Sequence, residues 1–260
     1  MSSVTAADYG WIRSSSIFPY GIEVGYTLTL VRGVPPQQVL RVMDAEPRGV
    51  CDGVDDLIEQ QQELHDELED WDESFIAGAF TAPGDGGDWT VVLHFDGGIG
   101  MRHRFLETLS AGSRAVMHSS NGGKPIHQFS WYEDGELRTN FEWPTARTGT
   151  RPDELLPLMR EVGFDPSGDG TDHYLDRKAA VLALAERLSG VPLTEDLLRH
   201  AEYQLGHVPD EPAPEWTSVV IDVTDANGER FCKEVTREQI EHAVEHHRPQ
   251  RNQPIRLDEP

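Results

Sequence analysis

The chain has 260 residues, with 46 Asp and Glu against 22 Lys and Arg and a formal net charge of −24. That sign excludes nucleic acid as a partner held by charge, because neutralising phosphates requires cations. Two cysteines, Cys51 and Cys232, exclude a disulfide scaffold and a four-cysteine zinc site, and no apolar run approaches the roughly 20 residues of a membrane span.

The opening Met-Ser-Ser-Val-Thr-Ala-Ala-Asp has neither a basic region nor an apolar core. No signal peptide is expected, and a soluble cytoplasmic location is the default. Tyr26 to Val31 alternates and is rich in β-formers, the pattern of a strand. Arg32-Gly33-Val34-Pro35-Pro36 turns it, and Val39, Leu40 and Met43 form a short helical stripe.

Residues 52–73 keep a helical period through Val54, Leu57, Ile58, Gln61, Leu64, Leu68 and Trp71. Almost everything else there is acidic. Between Gly49 and Met101 there are 14 Asp and Glu and no Lys or Arg. The outer face of this amphipathic helix carries Asp55, Asp56, Glu59, Glu63, Asp66, Glu67 and Asp70. A solvated face is the bland reading; a docking surface for a basic protein is the functional one.

Ser74 to Thr81 reads as a strand and Ala82 to Asp88 as a loop. Trp89 to Trp143 organises the chain. Val91, Leu93 and Phe95 alternate with Val92, His94 and Asp96, as in a half-buried strand. Asp96-Gly97-Gly98 ends it, and Met101, Phe105 and Leu109 set an apolar stripe on the helix that follows. Arg114 to His118 reads as a short strand. Phe129 to Phe141 is a hairpin around Asp134-Gly135, with the twist of a type I′ turn. A two-residue loop there opposes Glu133 to Glu136, Trp131 to Arg138 and Phe129 to Asn140.

Leu155 to Val162 suggests a helix beginning near Glu154 and stopped by Gly163. Residues 165–172 form a polar, glycine-rich loop whose Asp165, Asp169 and Asp172 lack calcium-loop spacing. Arg177 to Leu188 is apolar nearly all round, hence a buried helix. After Gly190-Val191-Pro192, Thr194 caps a second helix carrying Leu197, Leu198, Ala201 and Leu205. A Pro-rich linker at 207–215 separates the main domain, 1–206, from a strand–hairpin–helix appendage at 216–248 and a tail at 249–260. Asn227-Gly228 turns the hairpin, and Thr236 with Gln239 forms a capping box flanked by Val235 and Ile240. The fold class expected is α+β: a mixed, largely antiparallel sheet with helices packed on it.

Chemical motifs are few. Gly97-Gly98-Ile99-Gly100 sits between a strand and a helix, with Arg102 and Arg104 after it. Backbone N–H groups at such a turn bind phosphates. The dinucleotide and P-loop fingerprints are missing, so Gly98, Gly100, Arg102 and Arg104 form a weak ligand site and a tight structural turn is favoured. His242 and His246 lie four apart near Glu238 and Glu245, without a third metal ligand. His94, His103, His118 and His127 flank the organising stretch without implying a general base. No nucleophile elbow appears. No catalytic residue, metal or cofactor is expected.

Asp8-Tyr9-x-Trp11, Val31-Arg32-Gly33 with Pro36 and Val39-Leu40, and Leu109-Ser110-Ala111-Gly112 resemble motifs of an actinobacterial domain family of unknown function. So do Phe129-Ser130, Tyr132-x-Asp134-Gly135 and Ala185-Glu186-Arg187-Leu188-x-Gly190-Val191. The resemblance spans roughly residues 6–198, with 52–73 and the part after His207 read as departures or additions. It implies an actinomycete source and mixed α and β structure, and no catalytic residues. The 19 Arg against 3 Lys fit a GC-rich coding sequence. The sequence thus points to a non-enzymatic acidic protein, immunity-like or regulatory, that binds a basic protein. The rival is a small-ligand or phosphate-binding protein or enzyme using 96–104.

Overall fold

A computed structural model describes residues 3–15, 25–68, 72–96, 98, 100–121, 127–166, 168, 176–210, 217–224, 228, 230–240 and 242. The chain divides into two compact units, Met1–Asp210 and Glu211–Pro260. The first unit is built on an eight-stranded sheet whose adjacent strands are all antiparallel. Its strands are β1 (Tyr26–Arg32), β2 (Glu46–Asp52), β3 (Phe75–Gly84), β4 (Gly87–His94), β5 (Arg114–Ser120), β6 (His127–Glu133), β7 (Glu136–Phe141) and β8 (Glu202–Val208). They lie in the order β2-β8-β3-β4-β1-β5-β6-β7. The class is α+β with an antiparallel sheet, as the sequence pattern implies.

Both faces of this sheet are covered. On one, Leu28, Leu30, Val91, Leu93, Val116 and Phe129 share a core with a 3₁₀ helix (Ala6–Arg13), α2 (Gly53–Glu67), α4 (Leu156–Val162), α5 (Arg177–Ser189) and α6 (Glu195–His200). On the other, Val31, Ala77, Ala79, Val92, Ala115 and Met117 pack against α1 (Pro36–Val42) and α3 (His103–Leu109). Alternation in β1 and β4 suggests half-buried strands. Instead Thr27, Thr29, Thr90 and His94 are buried too, because the second layer of helices covers them. The apolar α5 is buried along its length, as its composition requires.

Several elements depart from the sequence pattern. The second helix of the 177–205 region stops at His200. Ala201 is extended and Glu202–Val208 becomes β8, seated between β2 and β3. Leu205 is therefore a strand residue, and His207 and Val208 belong to the sheet, not to a linker. The 82–88 loop is a hairpin: Ala82 pairs with Trp89 and Gly84 with Gly87, leaving Asp85-Gly86 as the turn. Gly86 and Gly87 have φ of 79° and 121°, which side-chain-bearing residues rarely adopt. β2 has no counterpart in the sequence reading; its residues are almost all exposed and carry no apolar period.

The Asp134-Gly135 hairpin has positive φ at both turn residues, as a type I′ turn requires. Glu133 opposes Glu136, but Trp131 opposes Thr139 and Phe129 opposes Phe141. A bulge at Arg138 shifts the register. The shift stacks Phe129 on Phe141, with ring centres 5.1 Å apart in the core; without it Phe129 would face polar Asn140.

In the second unit, β9 (Ser218–Thr224) and β10 (Arg230–Thr236) pair as a hairpin. Its turn residues 225–227 lie outside the described residues. The capping box is formed: Thr236 N–H donates to Gln239 Oε1 and Gln239 N–H to Thr236 Oγ1.

Candidate functional site

α2 begins where β2 ends, with no connecting loop. Gly53, Val54, Leu57, Gln61 and Leu64 point inward over β3 and β8. Gln61 is a polar residue on this apolar stripe for a structural reason: its Oε1 accepts the Ile76 N–H at 2.7 Å. Asp55, Asp56, Glu59, Glu63, Asp66 and Glu67 are all exposed on the outer side. Two of them, Asp55 and Asp56, lie in the first turn, where the helix dipole favours negative charge. Asp70 lies outside the described residues. The helix is shorter than its periodic pattern: Leu68 is extended, and Asp72 instead accepts the Ser74 N–H at 2.8 Å. The Ser74 hydroxyl, and after it this backbone bond, hold the Asp72 carboxyl below the usual carboxylate range.

Among the described residues, Arg199 reaches this flank from within the chain. Arg199 of α6 donates to Asp55 at 3.2 Å and to Glu195 at 2.8 Å. The joint beneath it is tight. Gly53 N–H donates to Ala201 O at 2.8 Å, and Gly53 has φ +85° with the Arg199 carbonyl against it. The structure thus groups six of the seven acidic residues singled out by sequence on one exposed helix face.

The second candidate, at 96–104, is arranged differently. Asp96, only 2 % exposed at its side chain, accepts bonds from Gly98 N–H and Gly100 N–H, both at 3.1 Å. It also accepts Thr27 Oγ1–H. The donors that would cradle a phosphate already bind an internal carboxylate, and that carboxylate repels a second anion. Arg102 and Arg104 stack over the Phe105 ring at 5.7 and 4.6 Å, and Arg104 lies 3.5 Å from Asp44. α3 spans only seven residues. The loop's chemistry is that of a turn closed on itself.

Sequence reasoning gave Asp96 no role. The available signal was an aspartate just ahead of a glycine pair, the pattern of a carboxylate that bonds N–H groups two residues on. Beneath it, His94 is fully buried, stacks on Phe75 with ring centres 4.3 Å apart, and places Nδ1 3.5 Å from Asp96. Burial pushes His94 below the usual histidine value, with Asp96 opposing the shift. His118 is also buried, 3.0 Å from the Tyr26 hydroxyl through Nε2 and 3.1 Å from Gln128 O through Nδ1. His103 is exposed and bonds the Tyr132 hydroxyl. The side chain of His127 lies outside the described residues, as do Glu245 and His246. Among the described residues, no three His, Cys, Asp or Glu side chains converge as a metal site would require.

Fold and site together define a helix-covered antiparallel α+β protein with an acidic helix face. The chain belongs to a family of unknown function, DUF6461, whose match covers residues 2–213. The matched range spans the acidic helix, and the appendage after residue 213 lies outside it. No curated protein and no solved structure matches the chain. No described helix is long and apolar enough to cross a membrane.

Proposed function

We propose that this protein is a non-enzymatic interaction factor, immunity-like or regulatory, that binds a basic protein through the outer face of α2. The observation that carries this reading is the row of exposed carboxylates on α2, set in a window of the chain without Lys or Arg. Such a field steers a cationic partner toward the surface and repels nucleic acid. The free cysteines, Cys51 and Cys232, fit a reducing cytoplasm. The Arg-rich composition fits an actinobacterial source.

The test is purification from the native host followed by salt titration of the recovered complex. Affinity should fall steeply with ionic strength. The combined variant Asp56→Asn, Glu59→Gln, Glu63→Gln, Asp66→Asn should weaken binding about tenfold or more, since exposed pairs contribute up to about 1 kcal/mol each. Binding that ignores both salt and these substitutions would refute the proposal.

A further inference from the structure

β2 is the outermost strand of the large sheet, and no described strand pairs with its outer edge. Six of its seven residues are exposed. Sheet edges are commonly blunted by proline or a bulge. Here Pro47 and the register shift between Pro47 and Gly49 do this for the first half only. Gly49, with φ +93°, belongs to that shift, and only from Val50 to Asp52 does the strand contain neither device.

A cleft of about 630 Å³ lies beside that regular half, between β2, β8 and α1. Leu40, Ala45, Pro47 and Val50 give it apolar walls, with Gln37, Arg41 and Gln204 at its polar part. Val50 is 63 % exposed although it is a β-branched apolar residue. Two residues further along the same strand face, Asp52 stands directly opposite Glu202 of β8. Both are exposed. Like charges opposed across paired strands destabilise them, and a cation between the two carboxylates relieves that repulsion. An apolar cleft and a carboxylate pair therefore sit two strand positions apart, roughly 7 Å.

We propose that an extended segment of the basic partner adds to β2 as a further strand. It places an apolar side chain in the cleft and an Arg or Lys, two residues away, between Asp52 and Glu202. The main-chain groups of Val50–Asp52 supply the hydrogen bonds, and the pleat sets the apolar-x-cation spacing of the ligand. This inference rests on the reading that the partner is basic, and it names how that partner is held.

The probes are synthetic eight-residue peptides with a central Val-x-Arg, the same peptides with Val-x-Glu, and Val-x-Arg peptides N-methylated at alternate residues. Binding to the full chain is read by fluorescence anisotropy. The Val-x-Arg peptide should bind about tenfold tighter than Val-x-Glu, and N-methylation along the bonding edge should abolish binding. Asp52→Asn with Glu202→Gln should collapse the Arg preference, and Val50→Lys should remove binding. These side chains are exposed, and Asp52 makes no side-chain bond to α2, so circular dichroism should be unchanged. Equal binding of the Arg and Glu peptides, or no binding at millimolar peptide, would overturn the proposal. So would a dimer dissociated by Val50→Lys in sedimentation equilibrium, which would make a second copy the occupant. The α2 variants separate the two readings. If they weaken the native complex while the β2 substitutions do not, the acidic-face reading stands and strand addition fails.

Discussion

Asp96 accepts bonds from Thr27, Gly98 and Gly100 while almost wholly removed from water. His94 beside it has no hydrogen-bond partner for either ring nitrogen among the described residues. Thr29 Oγ1 and Ser119 Oγ on the same sheet face are in the same position. A buried imidazole in this setting favours its neutral form. Its folded value therefore lies below the 6.5 of an ordinary histidine. Its contribution to stability is complete above about pH 6.5 and is lost as the pH falls from there toward the depressed folded value. The melting temperature should drop between pH 7.5 and 5.5, and His94→Phe should flatten that part of the profile. An unchanged slope in the variant would show that His94 is not the group responsible. The histidine itself was visible in the sequence as an outward position of an alternating strand. Its burial was not, because the ring that stacks on it, Phe75, and the strands that flank it, β1 and β3, come from other parts of the chain.

Gly53 joins three elements at one point: the end of β2, the start of α2 and the end of α6. A methyl group there would lie 2.2 Å from the Arg199 carbonyl oxygen, on a backbone with φ +85°. Gly53→Ala should destabilise the protein by about 2–4 kcal/mol through strain and collision, read by urea denaturation. Gly49→Ala, also at positive φ but with nothing near the added carbon, should cost only about 1 kcal/mol. Equal losses would mean that the contact with Arg199 is unimportant. Elements with strong local signals matched the sequence: β1, the Asp-Gly hairpin, α5 and the Thr236–Gln239 capping box. Those decided by partners did not. Glu202–Val208 has helix-compatible apolar spacing, and only the slot between β2 and β3 makes it a strand. Arg138 is bulged because the facing strand must bring Phe129 to Phe141.

The first unit carries both apolar cores, whose members all fall between Tyr9 and Val208. A chain ending at Asp210 should therefore fold, with a melting temperature within a few degrees of the full chain. Loss of cooperative melting in the truncated chain would show that the appendage completes the core. The sequence alone determined the charge, the mixed class and the amphipathic acidic helix, because composition and short-range periodicity act within a few residues. Tertiary structure alone decided the strand order, the exposed β2 edge, the burial of His94 and the capture of the glycine-loop donors by Asp96. The first three depend on which distant segment is adjacent in space, and no local pattern encodes that choice; the Asp96 turn is local, and what the tertiary structure adds there is the Thr27 bond and the burial of the carboxylate.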